Sequence, residues 1–321
     1  MLSTNESNLK YTAAMGGGLV TPGELRQLLT PTLFALLVKA RLPYHKRETI
    51  DFSRFGRDIF LEDHFGPLVR DRVWPALIAL SKIGLDHMPD LSSYLPLPTE
   101  PEYPEQCLGL QLLLDNCPRL LFRGVDQRWT YAYFNHVSER VARVWHSLPT
   151  TERPDQWERW RQADTGLDYW IGVRFWLGTP FVHSELLANQ KIAVAFTEET
   201  RSVVERVSGQ TDPYRTNRDE ILADLYGFPR EYRRGPPQGE DVTRESWTFW
   251  MGMLMDIHKP IIDRFGRYPY LNSMCGRPPT AEEEKWINET DHFAEAEKEV
   301  ARRIEEDVEL GRWTPLGKDS L

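Results

Sequence analysis

The chain has 321 residues and a formal net charge of −9, and 40% of its residues are hydrophobic, with 11 Trp, 12 Tyr and 14 Phe among them. This apolar content is enough for a sizeable core and excludes a chain that is disordered throughout. The negative balance argues against a protein that coats nucleic acid by charge, although it leaves room for a local basic groove.

Three isolated cysteines, with no C-x-x-C pair, indicate reduced thiols rather than a disulfide framework. The longest apolar run near the start, Leu33 to Val38, is too short to span a membrane and lacks the layout of a signal peptide. These features together predict a cytoplasmic protein.

Helix signals begin at residues 21–24, where a capping threonine, a proline and a glutamate follow one another. Residues 42–60 are mixed and charged, and we expect a surface loop there. Apolar residues recur at helical spacing from Pro67 to Ile83. A buried helix that includes Leu108 to Leu114 is expected to stop at Cys117-Pro118, because a residue before proline resists the α conformation.

The second half of the chain repeats the helical spacing. It predicts a helix from Tyr131 to Trp145, one from Ser184, one opened by Thr243, and a last one opened by the capping box Thr280-x-x-Glu283 and ended by Gly311. Residues 208–242 are polar and arginine-rich and predict an exposed insertion. Alternating, strand-like runs are nearly absent, so the sequence predicts an all-α fold, with residues 1–55 as an N-terminal extension of one or two helices and 56–321 as the core.

Three polar clusters each follow an apolar helix, and helix ends bring loops together at one edge of a bundle. We therefore expect one shared cavity. The clusters contain Asp115, Arg119 and Arg123; His183, Ser184, Glu185 and Gln190; and Arg264, Arg267, Tyr268, Tyr270, Asn272 and Arg277.

Each of these residues also has a purely structural interpretation. His258 lies on the apolar stripe of its helix and could be either a core histidine or a general base. Ser184 could be a helix cap or a nucleophile, and Glu185 suits a first helical turn in either case. The arginines could form structural ion pairs with Asp115, Glu185 or Asp263. No His/Cys/Asp grouping has metal-ligand spacing, and no glycine-rich nucleotide loop is present.

The clusters resemble the family called domain of unknown function 924. The resemblance rests on Leu112 to Arg119 with Phe122-Arg123-Gly124, on Phe181 to Glu185 with Gln190, and on Ile261 to Pro269 with Asn272, Gly276-Arg277 and residues 280–283. The family pattern has His-Arg-Asn where this chain has Tyr270-Leu271-Asn272. The resemblance implies a tetratricopeptide-like antiparallel helical arrangement over roughly residues 60–295.

The long N-terminal segment and the insertion resemble the fungal branch, whose arginine-containing cyclodipeptide synthases serve secondary metabolism. That resemblance implies two aminoacyl transfers from arginyl-tRNA and a second aminoacyl-tRNA, with no cofactor or metal. It implies His183 or His258 as base, Ser184 as a possible covalent carrier, and Tyr268, Tyr270 or Asn272 as oxyanion donors. Asp115 and Glu185 would bind the guanidinium, and Arg119, Arg123, Gln190, Arg264, Arg267 and Arg277 would line the substrate site. A basic surface around Arg230, Arg233 and Arg234, with Arg153, Arg159 and Arg161, would hold the tRNA.

Two rival interpretations remain open. A non-catalytic helical-repeat module would spread the polar clusters along a shallow concave face, where they would bind a peptide or protein partner. A hydrolase of small esters or amides would use the same His, Ser and Glu residues. Convergence of the clusters on a deep pocket would favour an enzyme over the module.

Overall fold

The structure is a computed structural model that describes residues 20–60 and 65–321. Within these residues the backbone forms helices and connecting turns and contains no strand, so the predicted all-α fold is confirmed. Residues 1–19, which belong to the predicted N-terminal extension, lie outside the described residues.

The helices of the first half are α1 (Pro22–Leu28), α2 (Pro31–Arg41), α3 (Phe52–Phe60), α4 (Pro67–Ser81), α5 (Tyr103–Gln111), α6 (Cys117–Leu121), α7 (Gln127–Trp129), α8 (Asn135–His146) and α9 (Trp157–Gln162). Those of the second half are α10 (Leu167–Val182), α11 (Leu187–Ser208), α12 (Arg218–Ile221), α13 (Gly227–Arg234), α14 (Arg244–Asp256), α15 (Lys259–Phe265), α16 (Asn272–Cys275), α17 (Ala281–Glu289) and α18 (Lys298–Glu309). Short 3₁₀ turns join several of them.

Helix α10 is the centre of the molecule. Every one of its residues is buried, as expected of a helix that is apolar on all sides. It packs against α5, α8, α11 and α14. The last turn of α10 carries Thr179 and Val182 and is capped by His183, so the central helix delivers the second polar cluster to the interior.

The N-terminal helices belong to the same core. Helix α2 packs along α5, where Gly109 lets the two backbones approach so closely that a Cβ would lie 2.6 Å from the Phe34 Cα. The expectation of a surface loop over residues 42–60 is wrong, because residues 52–60 form α3 and bury Phe52 and Phe55. The mixed charge of this segment hid its apolar face.

Two π turns interrupt the helices that border α10. Residues 112–116 join α5 to α6, and residues 130–134 join α7 to α8. In the first turn the Cys117 N–H donates to the Leu112 carbonyl, five residues back. The predicted helix stop at Cys117-Pro118 is therefore wrong, because the widened turn accommodates the proline, and the chain stays helical to Leu121.

Three further boundaries differ from the prediction. The helix opened by Thr243 breaks at Ile257 before α15 begins, and the last predicted helix is two helices separated by residues 290–297. The insertion 208–242 is not simply exposed, because Asp212 is buried against Arg201 and Phe228 is buried in α13. Polar composition concealed these few buried positions.

The described helices include none long and apolar enough to cross a membrane. All three cysteines are free thiols.

Candidate functional site

The polar clusters meet at a partly enclosed cavity of about 370 Å³ beside the C-terminal half of α10. Six of the predicted site residues line it, namely Asp115, Arg119, His183, His258, Tyr268 and Tyr270. The volume lies within the range of roughly 300–1,000 Å³ that small-molecule sites occupy. The cavity is therefore large enough for a small substrate.

Asp115 and His183 form a hydrogen-bonded pair in this cavity. The His183 Nδ1 lies 2.9 Å and 3.1 Å from the two Asp115 carboxylate oxygens. Burial alone would raise the pKa of Asp115, but the His183 and Arg119 charges and the hydrogen bonds from His183 and Thr179 hold that pKa below its usual value. Burial and the Arg119 charge lower the pKa of His183.

This pairing settles the state of the ring. An ionised Asp115 can only accept, so a neutral His183 must carry its proton on Nδ1. The Nε2 atom then presents a lone pair, and it makes no hydrogen bond within the described residues. An imidazole oriented in this way by a carboxylate is suited to accept a proton from a substrate.

His258 is a second neutral imidazole that lines the cavity. Its Nδ1 lies 2.9 Å from the Leu254 carbonyl oxygen, which can only accept, so this ring also carries its proton on Nδ1. Burial and the nearby His183 lower the pKa of His258 to about 3. The ring lies 3.7 Å from the centroid of Phe228. His258 thus stays uncharged at neutral pH and offers an acceptor at Nε2.

Arg119 supplies the positive charge of the site. Its Nη2 donates to the Asn135 side-chain oxygen at 2.6 Å and, at 3.4 Å, to Asp115. Its buried Nε has no hydrogen-bond partner in the described chain, and the same holds for the Asn116 side-chain oxygen and the Trp176 ring nitrogen. All three residues line the cavity, but these particular atoms are shielded from its open space.

Two adjacent tyrosines serve different roles. The Tyr268 hydroxyl donates to the Val182 carbonyl oxygen at 2.5 Å and accepts from the Gln190 amide at 2.9 Å, so Tyr268 joins the 3₁₀ turn at Pro269–Leu271 to the end of α10. The Tyr270 hydroxyl makes no hydrogen bond to the part of the chain that the structure describes. Burial raises the pKa of both phenols well above its ordinary value. Tyr270 therefore lines the cavity as a neutral hydroxyl.

Glu185 binds the guanidinium group of Arg277, a residue of the same chain, and not one left for a substrate. Arg277 holds its carboxylate through two bonds of 2.6 Å and 2.9 Å, and the Tyr268 N–H donates to it as well. The remaining predicted arginines are also outside the cavity lining: Arg264 pairs with Glu282, Arg267 pairs with Glu283, and Arg123 donates to the Phe122 carbonyl. Glu185 and Gln190 support the loops around the site without lining it.

Ser184 and Asn272 also lie outside the cavity lining. The Ser184 hydroxyl donates to Glu139 and accepts from the Leu186 N–H and the Asn189 amide. These contacts fix the segment that leads into α11, and no histidine of the described residues forms a hydrogen bond with the Ser184 hydroxyl. Asn272 is buried, and neither of its amide atoms has a partner within the described residues.

The predicted tRNA-binding arginines lie on α13. Arg230 pairs with Asp224 and Glu231, and Arg234 pairs with Glu231, yet both guanidinium groups are about half exposed or more. Arg233 instead donates to the Thr290 carbonyl oxygen at 2.5 Å and stacks over Phe293. Earlier in the chain, Arg153 is buried against Asp155.

The predictions missed the aromatic side of the cavity. It is lined by Phe60, Tyr131, Phe175, Trp176, Phe228, Tyr232 and Phe293. Phe228 and Tyr232 lie in a segment whose polar composition predicted solvent exposure, and their spacing of four on a short helix was the one available signal. Phe60 and Phe293 come from distant parts of the chain, and no sequence pattern connects them.

No group of three or more His, Cys, Asp or Glu side chains within the described ranges could hold a metal ion. One family model matches the chain, that of a bacterial protein of unknown function (DUF924), over residues 88–291. The matched segment is well over half of the chain and includes Asp115, His183, His258, Tyr268 and Tyr270. No curated protein and no solved structure matches the sequence.

Proposed function

The chain belongs to the DUF924 family, and from the cavity that the family segment encloses we propose an aminoacyltransferase that joins arginine to a second amino acid as a cyclic dipeptide. One observation carries the proposal: Asp115 orients a neutral His183 at a cavity of substrate size. The aminoacyl chemistry comes from the resemblance to the arginine-containing cyclodipeptide synthases of the fungal branch. With it we propose that the protein acts in the cytoplasm and serves secondary metabolism.

The reaction needs proton transfer and positioning rather than a cofactor, because an aminoacyl ester of tRNA is already activated. In the first transfer, the α-amine of one aminoacyl group attacks the ester carbonyl carbon of the other. A C–N bond forms, the ester C–O bond breaks, and the amine proton passes through the His183 Nε2 to the departing ribose oxygen. In the second transfer, the free amine of the dipeptidyl ester attacks the remaining ester carbonyl, closes the ring and releases the second tRNA.

The cavity supplies a donor for the oxyanion that each transfer creates. The Tyr270 hydroxyl lines the cavity and makes no hydrogen bond within the described residues, whereas the unpaired Arg119 Nε and Trp176 ring nitrogen are shielded from the open space. Of the three donors that the resemblance implies, Tyr268 is already bonded and Asn272 does not line the cavity, so Tyr270 is the one retained in the proposal. Such fixed donors stabilise developing charge most in a site that excludes water.

The substrate guanidinium is proposed to bind elsewhere than at Asp115 and Glu185, the two carboxylates that the resemblance implies. Glu185 is satisfied by Arg277, and Asp115 is satisfied by His183 and Arg119. We place the guanidinium at the polar end near the Nε2 atom of His258, an acceptor that leaves the His183 Nε2 free for proton transfer. This neutral atom can accept a guanidinium N–H group without a carboxylate partner.

Helix α13 offers a route for the tRNA. One of its faces lines the cavity with Phe228 and Tyr232, and the same short helix exposes Arg230 and Arg234. Phosphate contacts at these arginines would bring an aminoacyl end close to the cavity. Reversing both arginines to glutamate is expected to weaken tRNA binding and flatten its salt dependence.

The test is product formation by the purified protein supplied with arginyl-tRNA and a pool of other aminoacyl-tRNAs, followed by mass spectrometry. We expect an arginine-containing diketopiperazine that disappears when ribonuclease is added first. His183→Gln should abolish it, whereas Leu187→Ala, a change at an exposed position outside the cavity lining, should not. Product formation from free amino acids after ribonuclease treatment would refute the proposal.

The hydrolase alternative has less support, because the Ser184 hydroxyl is bonded to Glu139 and does not line the cavity. The helical-repeat module is disfavoured by the convergence of six predicted polar or aromatic residues on one cavity.

A further inference from the structure

One side of the cavity is a wall of aromatic rings drawn from four parts of the chain. Phe228 lies 5.7 Å from Tyr232 and 5.4 Å from Phe293, and Tyr232 lies 5.5 Å from Phe293, measured between ring centroids. Two further rings complete the wall: Phe60 lies 6.2 Å from Tyr232, and Tyr270 lies 5.5 Å from Phe293. Most of these pairs meet edge to face, so they leave ring faces and edges for a further ring.

The charged groups of the described lining lie elsewhere. Asp115 in the π turn and Arg119 in α6, four residues later, are bonded to each other, Asp115 also to His183 and Arg119 also to Asn135. His258, at the boundary, is neutral and stacks on Phe228. The cavity therefore has a polar end, where proton transfer can occur, and an uncharged aromatic end.

The aromatic wall is held in place from outside. Arg233 on α13 donates to the Thr290 and Asp291 carbonyl oxygens and covers Phe293 at 5.5 Å. The loop that it holds places Asp291, His292 and Ala294 at positive φ, a conformation that non-glycine residues avoid unless neighbouring structure enforces it. The bonds from Arg233 hold this backbone in place and thereby keep Phe293 against Phe228.

We propose that this aromatic wall is the subsite for the side chain of the second amino acid and that it selects an aromatic one. The inference rests on the proposed function and adds the substrate class. An aromatic ring gains edge-to-face contacts that an aliphatic chain of equal area lacks, a preference of roughly 2- to 10-fold.

Tyr232 is the residue to change, because it stands at the mouth with 46% of its surface exposed and its loss should spare the core. Tyr226 is a matched control on the same segment, with 40% exposure and a hydrogen bond to Glu289 away from the cavity lining. The protein is given arginyl-tRNA with equal amounts of phenylalanyl-, tyrosyl-, tryptophanyl-, leucyl- and alanyl-tRNA, and the products are quantified together.

We expect aromatic partners to dominate the wild-type products, Tyr232→Ala to lower the ratio of aromatic to aliphatic products by about 2-fold or more, and Tyr226→Ala to leave it unchanged. Preferred coupling of leucine or alanine by the wild type, or an unchanged ratio in Tyr232→Ala, would overturn the inference.

A binding experiment separates the inference from the proposed function. Phenylalaninamide and leucinamide, which carry no reactive ester, are titrated into the wild type and both variants by calorimetry or ligand-detected NMR. Tighter binding of phenylalaninamide, reduced in Tyr232→Ala and retained in Tyr226→Ala, supports the aromatic subsite even if no diketopiperazine is ever formed. Equal binding of the two amides by the wild type overturns it.

Discussion

At the scale of single residues, the state of the site depends on what occupies the Nδ1 atom of each histidine. The Nδ1–H group of His183 donates to the Asp115 carboxylate, and the Nδ1–H group of His258 donates to the Leu254 carbonyl oxygen. Both rings are thereby left with an unprotonated Nε2. A carboxylate and a carbonyl differ in charge, however, so the two rings should respond differently to substitution.

Asp115→Asn should lower the rate of product formation by about 10²- to 10⁴-fold, because the amide no longer fixes the tautomer of His183. The pH dependence gives a second signature. His183 acts as a base when neutral, so activity is lost as pH falls through its lowered pKa. Removing the carboxylate, which favours the protonated ring, should move this acidic limb to still lower pH. A pH–rate profile that is unshifted in the variant would argue against the Asp115–His183 coupling.

The neighbouring tyrosines provide a matched pair for the same substitution. Tyr268→Phe removes a hydroxyl that donates to Val182 and accepts from Gln190, so the free energy of unfolding should fall by about 1–2 kcal/mol. Tyr270→Phe removes a hydroxyl with no hydrogen bond to the described chain, and stability should stay within about 0.5 kcal/mol. Urea unfolding measures both. Equal destabilisation would mean that Tyr270 has a structural partner.

At the scale of helices and loops, close packing at glycine decides how the first helices reach the core. Helices α2 and α5 meet at Gly109, where the Phe34 backbone occupies the space of a Cβ. Because α5 continues through the π turn to Asp115, the position of this contact sets the position of one side of the cavity.

Gly109→Ala should destabilise the protein by about 1–3 kcal/mol, because an added methyl group cannot displace backbone atoms. Gly23→Ala in α1 is the control. The added Cβ there would lie 3.8 Å from Thr21 Oγ1, an ordinary contact, so helix propensity should leave the protein equally or slightly more stable. Thermal unfolding of the two variants compares them, and similar melting temperatures would contradict the packing argument.

Particular residues show why the sequence predicts helices better than it predicts the cavity. Helical spacing and the capping residues Thr21, Thr243 and Thr280 identify elements, because caps and periodicity are local properties. The location of Glu185 at a helix end was equally readable, but its partner Arg277 lies 92 residues away. The choice of guanidinium partner for a carboxylate depends on the tertiary fold, and so does the contact between Phe60 and Tyr232. Local sequence patterns predict neither.

At the scale of the whole molecule, buried and half-buried carboxylates tie distant segments together. Glu283 caps α17 and holds Arg267 across the loop from α15. Burial would raise the pKa of Glu283, but the hydrogen bonds from Arg267 and Thr280 lower it to about 2. The pKa values of Asp307, Glu198 and Glu205 are also lowered, by hydrogen bonds and ion pairs that outweigh burial.

These groups predict loss of stability in acid. A carboxylate whose pKa is lower in the folded state stabilises the fold above its unfolded pKa, and the effect disappears as pH falls through the folded value. For Glu283 that window runs from 4.5 down to about 2. Glu283→Gln should lower the melting temperature at neutral pH and reduce its fall across this window. A variant with the same slope as the wild type would show that Glu283 does not contribute to it.

The two π turns mean that the cavity depends on residue count. Each turn holds one residue more than an α-helical turn would, and the turns place Asp115 and Tyr131 at the cavity. Since successive residues of an α-helix are rotated by about 100°, removing a single residue from 112–116 would realign everything on one side of that turn. Natural or engineered chains that differ here by one residue would keep a helix and its hydrophobic stripe, yet direct the Asp115 carboxylate away from His183. The number of residues in this π turn is therefore as informative about function as the identity of the residues.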